Sequence, residues 1–532
     1  MIGVHRAFGV GHHAQHIARR IGDAGDVAGG RQFTHVAGYH ASILIRNILF
    51  KAPSKNKEHL APRVTYCDPE LAQIGLTERE AREQHGEVKI ARWPFSQNDR
   101  AEAERDTQGL VKVITDNKGH VLGAGVVGVT TAYKLAAAGH EVAVIEGEHR
   151  AAMLTSFANA GLLAPAQGYA WASPSAPGLM LRSLWRGDQA IKLQPRASWR
   201  QWRWMLRFLH ECTAARHNTN SAVTTSLCQF SQLHMNRITR ETGVTYDGRD
   251  GGLMYIYRSA EGLANADRKA AMLRSQGIRL DLMSSDEMVA RDPGLARLAA
   301  HAAGALYAPG DESGDAHLFT NALVEKSEEM GVAFHFGTRI TRLVRRGDAL
   351  LRVETDNGDF TADDYVLCAG VHSPDLVRHL GIDLPIWPVR GYSMTVPITD
   401  AATAPRIGGV DYENLMAYCP MGDRLRVTAT AEIAGYERGF AEADFAPLLD
   451  KARPMFGHCA DFSNPKYWVG LRPMTPHGAP IVSKSPLDNL WLNVGHGHLG
   501  WTMSGGCAAI IADLIDGRAP NFDVKGLQYD LA

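Results

Sequence analysis

The feature that most constrains this chain is a glycine-rich turn between a short apolar strand and a helix, in the run GHVLGAGVVG at residues 119–128. Its GxGxxG spacing has a physical basis. The first glycine permits a tight turn, the second lets a pyrophosphate approach the backbone, and the third lets helix and strand pack closely. The helix N terminus then offers free N–H groups and a positive dipole end to phosphates. The predicted contacts of this turn are Val121, Leu122, Gly123, Ala124, Gly125, Val126, Val127 and Gly128.

The residues after the turn complete a strand–helix–strand unit. Residues 130–138 have the apolar spacing of a helix, and the pair at 139–140 breaks it. Residues 141–146 are typical of a second strand that ends in Glu146, whose carboxylate can accept hydrogen bonds from the adenosine ribose. A lone GxGxxG would be weak evidence, whereas the whole unit predicts dinucleotide binding.

Three later segments favour FAD over NAD. Residues 155–161 follow the second strand closely and supply small polar groups, and residues 365–370 are typical of a buried strand that ends in glycine. Residues 490–502 predict a strand, a glycine-rich loop and a helix that runs to about Asp516. The N terminus of this helix would stabilise negative charge on reduced flavin. The predicted contacts in and beyond these segments are Ser156, Asn159, Ala160, Ile340, Gly370, Gly495, Gly497, Gly500, Trp501 and Thr502.

Each of these features also has an ordinary structural interpretation. Glycine-rich loops usually serve turns, and Trp501 could be a core residue. His496 and His498 form a His-x-His pair, but such residues are more often hydrogen-bond partners in loops than metal ligands. Because no third ligand has a convincing spacing, we predict no metal site.

Residues 121–532 carry the motifs GAGVVGVTTAYKLAAAGHEV, LTSFANAGLLAP, ETGVTYDGRDGG, VRGYSMTVPI, GLRPMTPHGAPIV and NVGHGHLGWTMSGG. Together they resemble the small subunit of bacterial D-amino acid dehydrogenases, within the FAD-dependent D-amino acid oxidase and glycine oxidase group. The resemblance implies an α/β fold, with a Rossmann-like FAD-binding domain of the glutathione-reductase type and a substrate domain built on an antiparallel sheet. It implies FAD-binding segments at 121–225, 316–375 and 466–532, and a substrate domain at 226–315 and 376–465.

The same resemblance implies noncovalent FAD and oxidative deamination of D-amino acids to 2-oxo acids and ammonia. Hydride passes from Cα to the flavin, and the electrons go on to a respiratory-chain quinone or another acceptor. No strong side-chain base is needed, because a neutral amine already drives hydride loss. Two other interpretations stay open. One is an oxidase of glycine, sarcosine or cyclic imino acids that uses oxygen, and the other is a degenerate fusion without activity.

Two residues are predicted to act on the substrate. Arg472 matches the arginine that holds the substrate carboxylate in related amine-oxidising flavoenzymes, and a planar guanidinium suits this task. Its alternative is a structural salt bridge. Tyr392 could place a hydroxyl at the substrate, or could equally be a core tyrosine. The chain departs from the family pattern at His477, His498 and residues 428–430, so the range of substrates is left open.

Residues 1–120 resemble a different family, the pyridine nucleotide-disulfide oxidoreductases, through motifs such as AGDV, FTHVA, VTYCDPELA and GLTE. The match is to the end of the FAD domain and most of the interface domain. Strands are expected at 64–66, 90–93 and 110–114, and helices at 39–50 and 77–84. The chain lacks the redox-active CxxxxC motif, so we expect no disulfide reductase activity. An incomplete α+β interface domain would expose apolar surface and could therefore drive formation of a homodimer.

The run VLGAGVVG at 121–128 satisfies the patterns of both families. Our hypothesis is that two pieces of different origin are joined there. An independent genomic read across codons 115–130 that fails to show one continuous frame would contradict it.

Composition limits the remaining function classes. The chain has 532 residues, of which 45% are hydrophobic and 21% charged, as in ordinary globular proteins. Its net charge of −1 gives no electrostatic case for nucleic acid. The seven cysteines include no CxxC pair, which favours a reduced, cytoplasmic setting. No apolar run is long enough to predict a transmembrane helix.

One segment is relevant to membrane binding, the aromatic and basic run WRQWRWMLRFLH at 199–210. Tryptophan and arginine beside apolar residues suit a peripheral contact with the inner face of the cytoplasmic membrane. The alternative is a helix whose apolar stripe lies on the protein core.

Overall fold

The computed structural model describes residues 120–183 and 191–529, together with four short strands between residues 63 and 115. It divides into two compact units, residues 1–117 and residues 118–532. In the first unit, β1 (Arg63–Thr65) pairs antiparallel with β2 (Leu71–Gln73), and β3 (Lys89–Pro94) with β4 (Leu110–Thr115). β1, β3 and β4 overlap the three strands that the sequence predicts, whereas β2 is not predicted. The helices expected at 39–50 and 77–84 lie outside the described residues.

The second unit contains the remaining strands and all the described helices. Its strands are β5 (His120–Leu122), β6 (Ala143–Ile145), β7 (Leu162–Leu163), β8 (Ile191–Leu193), β9 (Leu253–Tyr257), β10 (Asp281–Met283), β11 (Gly304–Ala308), β12 (Glu312–Ser313), β13 (Ala333–His335), β14 (Ile340–Arg346), β15 (Ala349–Thr355), β16 (Gly358–Phe360), β17 (Tyr365–Leu367), β18 (Trp387–Pro397), β19 (Gly408–Asp411), β20 (Met416–Met421), β21 (Arg424–Ile433), β22 (Lys466–Met474), β23 (Ile481–Lys484) and β24 (Leu490–Val494). Its α-helices are α1 (Val126–Ala137), α2 (Ala176–Ser183), α3 (Trp199–Glu211), α4 (Ala214–Thr242), α5 (Ala260–Ser275), α6 (Ser285–Arg291), α7 (Ala296–Ala299), α8 (Ala316–Glu329), α9 (Ser373–Val377), α10 (Ala446–Phe456) and α11 (Gly500–Ile515).

The glycine-rich turn belongs to a six-stranded sheet, which we call the parallel sheet. Its order is β13–β6–β5–β17–β24–β23, and every pair is parallel except β24 with β23. Helix α11 packs against α1 and α4, and α1 packs against α8. Strands covered on both faces are apolar throughout. Alternate residues accordingly enter two cores, with Val121, Val144 and Val366 in one and Leu122, Ile145 and Leu367 in the other.

A nine-stranded sheet, which we call the large sheet, forms the other layer. Its order is β10–β11–β9–β19–β20–β21–β18–β22, with β8 paired to β21. Its outer face packs on a core that includes Phe445 and Phe456, through alternate residues such as Met394, Val427 and Val469. The intervening residues lie on its inner face. Because side chains alternate along a strand, only every second residue of each strand can reach a site on the inner face.

A buried ion pair ties helix α8 to the large sheet. Asp315 caps α8 by accepting a hydrogen bond from the backbone N–H of His317 at 2.9 Å. Its Oδ2 lies 3.3 Å from Nη2 of Arg426 on β21 and 3.2 Å from Nη1 of Arg424. Both Asp315 and Arg426 are buried. Losing one partner of such a pair costs about 3–5 kcal/mol, so the contact holds the two layers in one arrangement.

The α/β class that the sequence predicts is confirmed, since the second unit combines the parallel sheet with the largely antiparallel large sheet. The helix expected at 130–138 is α1, which begins four residues earlier, at Val126. The helix expected to run to about Asp516 is α11. The domain boundaries stay a prediction. Over the described part of the chain, no helix combines the length and apolarity needed to cross a membrane.

Candidate functional site

A cavity of about 1810 Å³ lies between the two layers of the second unit. Its lining includes the glycine-rich turn on the side of the parallel sheet and residues of β18, β20, β21 and β22 on the side of the large sheet. Sites for single small molecules usually measure about 300–1,000 Å³. The cavity therefore has room for a ligand as long as a dinucleotide together with a smaller second molecule.

The glycine-rich turn has the geometry that its spacing predicts. Gly123 has φ +114°, and a Cβ there would lie 2.9 Å from the carbonyl oxygen of Cys368. A Cβ on Gly128 would lie 1.7 Å from the carbonyl oxygen of Gly123, so only glycine lets α1 pack this closely on the strand. Gly125 lines the cavity, and the N–H of Val126 beside it donates to Ser156 Oγ at 3.1 Å. The turn therefore presents bare backbone and a helix N terminus to the cavity.

Glu146 lies at the cavity wall directly after β6. Its Oε2 accepts a hydrogen bond from the N–H of Ala124 at 2.6 Å, and its Oε1 accepts one from the N–H of Glu148 at 3.0 Å. Burial raises the pKa of this carboxyl, and the two backbone hydrogen bonds oppose the shift. Glu146 is thus fixed next to the glycine-rich turn, where a ribose hydroxyl would meet it.

Most of the predicted cofactor contacts line the same cavity. They are Gly123, Gly125, Val126, Val127, Glu146, Ser156, Asn159, Ala160, Ile340, Gly370, Gly497, Gly500 and Trp501. The other predicted contacts, which do not line it, are Val121, Leu122, Ala124, Gly128, Gly495 and Thr502. Val121 and Leu122 are core residues of β5.

Some predicted contacts hold the loop beside the cavity. Asn159 Oδ1 accepts a hydrogen bond from the N–H of Gly161 at 3.0 Å, and Thr502 Oγ1 accepts one from the N–H of Ala164 at 3.2 Å. Gly161 has no space for a side chain, because a Cβ would lie 2.0 Å from Cε of Met421 on the large sheet. Loop 159–164 is therefore shaped by contacts with α11 and with the large sheet.

The backbone and polar groups that line the cavity suit FAD. Bare backbone at Gly123 and Gly125 and the N terminus of α1 suit a pyrophosphate, and the carboxylate of Glu146 suits a ribose. The second helix N terminus, that of α11, lies at the cavity-lining residue Gly500, shortly after Gly497, and suits a group that becomes negatively charged.

Arg472 brings a cation into the cavity from β22. Its guanidinium lies against Gly391 of β18, where an added Cβ would come within 2.4 to 2.6 Å of the guanidinium atoms. Its Nη1 donates to the carbonyl oxygen of Arg390 at 3.2 Å. Burial lowers the pKa of Arg472 to about 10, so the group stays cationic at neutral pH. A glycine at position 391 is what leaves space for the guanidinium.

Aromatic and imidazole rings lie next to the Arg472 guanidinium. The Trp171 ring centroid is 5.9 Å from Cζ of Arg472 and 4.8 Å from the ring centroid of His498. Burial, reinforced by the charge of Arg472, lowers the pKa of His498 to about 3, and burial lowers that of His496 to about 3. Both imidazoles are therefore neutral at physiological pH. Within residues 120–183 and 191–529, no group of three or more His, Cys, Asp or Glu side chains is arranged to hold a metal ion.

Tyr392 is placed differently from Arg472. Although it contributes to the cavity lining, its ring packs on Phe445 of the outer core, with centroids 5.3 Å apart. Its hydroxyl donates to Glu432 Oε2 at 2.8 Å. Burial, and then this hydrogen bond, raise the pKa of Tyr392. The structure thus brings Arg472 and thirteen of the predicted cofactor contacts to one cavity. The Tyr392 hydroxyl, in contrast, is hydrogen-bonded to Glu432.

Several cavity residues were not identified from the sequence. Gly391 and Trp468 sit on the large sheet, and Trp171 lies in the loop before α2. A cluster of tyrosines forms another part of the wall. Tyr412 donates to Gln167 Oε1 at 2.8 Å, and its ring stacks on that of Tyr257 at 4.9 Å. Gly391 sits inside the motif VRGYSMTVPI, but only knowledge of strand pairing could have linked it to Arg472.

Behind the tyrosines lies a buried carboxyl, that of Asp311. It accepts hydrogen bonds from the Tyr255 hydroxyl and from the N–H of Ala166, the latter at 3.2 Å. Burial raises the pKa of Asp311 to about 7. The carboxyl does not line the cavity.

Comparison with known families agrees with both resemblances. The family described as FAD dependent oxidoreductase matches residues 120–514. The family described as pyridine nucleotide-disulphide oxidoreductase, dimerisation domain, matches residues 61–152. The two matches share residues 120–152, which contain the glycine-rich turn.

Curated relatives match about three quarters of this chain. D-amino acid dehydrogenase 2 of Mesorhizobium japonicum is 42% identical over 410 residues, which are 77% of this chain and 99% of that protein. D-amino acid dehydrogenase of Cereibacter sphaeroides is 42% identical over 407 residues, which are 76% of this chain and 93% of that protein.

Solved structures share the fold at lower identity. Glycine oxidase from Geobacillus kaustophilus has a TM-score of 0.60 at 21% identity, covering 78% of this chain and 98% of its own. L-proline dehydrogenase from P. horikoshii has a TM-score of 0.59 at 16% identity, covering 78% of this chain and 96% of its own. From the family match and the identity to these curated relatives, the chain belongs to the FAD-dependent oxidoreductase family.

Proposed function

We propose that this protein oxidises D-amino acids to 2-oxo acids and ammonia, with FAD as its cofactor and an acceptor other than oxygen for the electrons. The observation that carries the proposal is the guanidinium of Arg472, buried in the same cavity as the glycine-rich turn. Relatives that are 42% identical over 93–99% of their length are D-amino acid dehydrogenases, which supports the same activity for this chain.

The parallel sheet with α1 and α11 is, in this proposal, an FAD-binding domain of the glutathione-reductase type. Backbone at Gly123 and Gly125 holds the pyrophosphate, Glu146 the ribose, and the N terminus of α11 the pyrimidine edge of the flavin. When bound, FAD supplies a two-electron acceptor for the hydride of the substrate Cα–H bond. The chain's own residues supply binding, orientation and electrostatics.

Arg472 binds the substrate carboxylate. A planar guanidinium can make two parallel hydrogen bonds to a carboxylate, which fixes the position of Cα as well as binding the group. The neutral imidazoles of His496 and His498 add no second positive charge that would repel a substrate ammonium. The chain therefore places one strong cation, Arg472, where the carboxylate binds.

Tyr392 has an indirect role in this proposal. Its hydroxyl is engaged by Glu432, which also lies 3.6 Å from Nε of Arg390. These contacts hold the segment of β18 that carries Gly391, against which the Arg472 guanidinium lies. Tyr392 is thus a positioning residue for the carboxylate site.

Replacing Arg472 by alanine should abolish tight substrate binding and leave the flavin bound. Loss of one partner from a buried, hydrogen-bonded charge pair costs about 2–5 kcal/mol, roughly 30-fold to several thousand-fold in kcat/KM. Steady-state kinetics with a D-amino acid and an artificial electron acceptor measure the loss, and visible absorbance of the purified variant measures the flavin.

A second variant tests the geometry without removing the charge. Gly391→Ala should raise KM because its Cβ displaces the guanidinium, and Gly178→Ala on α2 is the matched control, since a Cβ there meets nothing within 4 Å. Unchanged KM values in Arg472→Ala would contradict the carboxylate assignment.

The electron acceptor is proposed to be a quinone of the respiratory chain. The alternative is an oxidase that passes electrons to oxygen, with glycine, sarcosine or cyclic imino acids as substrates. We expect little hydrogen peroxide in air with D-alanine or D-proline, and measurable turnover of the same substrates once an artificial acceptor is added. One peroxide formed per substrate consumed, at an undiminished rate without that acceptor, would favour the oxidase.

Helix α3 supports a peripheral contact with a membrane. Its buried face contains Trp204, whose Nε1 donates to the carbonyl oxygen of Met474 at 2.9 Å, so this tryptophan belongs to the core. The opposite face carries what we call the exposed stripe. It consists of Trp199, Trp202, Leu206 and Leu209, which are 74%, 43%, 61% and 41% exposed. Spacings of three and four residues put these side chains on one helix face.

Arginines flank the exposed stripe. Arg200 pairs with Asp375 at 3.0 Å, and Arg203 and Arg207 lie 2.8 and 3.7 Å from Asp383. An apolar, tryptophan-bearing stripe beside basic residues is typical of helices that lie in the membrane interface. We propose that this face rests on the inner surface of the cytoplasmic membrane. The homodimer stays a prediction of the sequence.

A double substitution on the exposed stripe should weaken vesicle binding. Burying one large apolar side chain contributes about 1.5–3 kcal/mol, so Trp202→Gln with Leu206→Gln should lower partitioning at least about tenfold. Flotation with anionic liposomes measures the bound fraction. The control is Leu233→Gln on α4, a leucine that is 70% exposed away from this stripe. Equal flotation of both variants and the unmodified protein would remove the proposed membrane contact.

A further inference from the structure

One row of residues crosses the inner face of the large sheet beside Arg472. Strand register places Trp468 of β22 opposite Ser393 of β18, and Ser393 opposite Thr428 of β21. The same row continues through Ala417 of β20 to Val410 of β19. We call Ser393, Thr428, Ala417 and Val410 the small-residue row. All four line the cavity, so the row forms part of its floor.

Large aromatic residues bound the small-residue row on both sides. Trp468 stands next to Ser393, and a Cβ on neighbouring Gly470 would lie 2.0 Å from its indole ring. Opposite Val410, strand register places Tyr255 of β9. The stacked rings of Tyr257 and Tyr412, each two residues further along the chain, line the cavity beside this end of the row. Neighbouring strands are about 4.8 Å apart, so the row runs for roughly 14 Å between these walls.

The row begins close to the carboxylate site. The Arg472 guanidinium lies against Gly391, which is two residues from Ser393 on the same strand, a separation of about 7 Å. Ser393 itself is only 2% exposed, and its hydroxyl has no hydrogen-bond partner among the described residues. The row therefore starts with a buried, unused polar group near the point where the substrate would be anchored.

The row carries no charge. The row contains none of the charged residues that line the cavity, which are Glu146, Glu148, Glu261, Asp375, Glu413, Arg268, Lys269, Arg339, Arg438 and Arg472. Glu413 accepts hydrogen bonds from the backbone N–H groups of Arg258 and Ser259. A charged substrate side chain placed on the row would be buried with no oppositely charged residue in the row, which is unfavourable.

We infer that the small-residue row is the subsite for the substrate side chain, and that the preferred substrates are D-amino acids with large uncharged side chains, aromatic or long aliphatic. The inference rests on the proposed function. A methyl side chain would leave the row empty, whereas a benzyl or indolylmethyl group would cover it. Each additional methylene in an apolar pocket is worth about 10- to 200-fold in kcat/KM.

A substrate panel on the unmodified holoenzyme tests the subsite. With an artificial electron acceptor, kcat/KM for D-phenylalanine, D-tryptophan and D-leucine should exceed that for D-alanine by at least about tenfold. D-aspartate and D-lysine should be poorer substrates still. A higher kcat/KM for D-alanine than for all three large substrates would overturn the inference. If no D-amino acid reduces the bound flavin, the proposed function fails, and the subsite with it.

A substitution that fills the small-residue row tests the same subsite. Ala417→Leu should lower the ratio of kcat/KM for D-phenylalanine over D-alanine about tenfold, because the new side chain occupies the floor. The control is Ala333→Leu at an exposed position of β13, which should leave the ratio unchanged. An unchanged ratio in Ala417→Leu, with full flavin content, would overturn the inference.

Equilibrium binding to the unmodified protein tests the subsite without depending on the folding of Ala417→Leu. Binding is followed by the change in flavin absorbance when each carboxylate is added. We expect 3-phenylpropanoate to bind at least about tenfold more tightly than propanoate. Equal affinities for the two carboxylates would count against the subsite.

Discussion

Burial of a guanidinium is the constraint on which the site depends. Removing an arginine from water is unfavourable, and burial accordingly lowers the pKa of Arg472. The large sheet provides the surroundings: Gly391 leaves space beside the guanidinium, the carbonyl oxygen of Arg390 accepts one hydrogen bond, and Trp171 covers one side. In the proposed function, the substrate carboxylate binds to this guanidinium.

The rest of the second unit holds this cation opposite the cofactor site. The parallel sheet presents Gly123, Gly125 and Glu146 to the cavity, and the inner face of the large sheet closes it. The buried pair of Asp315 and Arg426 joins α8 to β21, so the two layers cannot shift independently at low cost. The proposed chemistry needs this rigidity, because hydride transfer depends on how closely and at what angle Cα is held.

Local features could be predicted from the sequence because their physics is local. The glycine-rich turn, helix α1 and Glu146 follow from neighbouring residues, and the structure gives Gly123 the positive φ that the pattern requires. The small-residue row and the contact of Gly391 with Arg472 depend on which strands pair, and no local pattern encodes that.

Tyr392 illustrates the limit of prediction from a local motif. Its motif leaves two positions open, one at the substrate and one in the core, whereas a β-bulge between Arg390 and Tyr392 and the packing on Phe445 decide where its hydroxyl lies. Trp202 and Trp204 show the same limit of prediction from the sequence. They belong to one aromatic run, but their side chains lie on opposite faces of α3.

The most direct test of the account is the enantiomer dependence of flavin reduction in the absence of oxygen. The purified holoenzyme is mixed anaerobically with the D- or the L-form of one amino acid, and the visible absorbance of the oxidised flavin is followed. The account predicts rapid and complete bleaching by the D-form, with the 2-oxo acid formed in equal amount, and no bleaching by the L-form on the same timescale. Equal bleaching by both forms, or by neither, would contradict it.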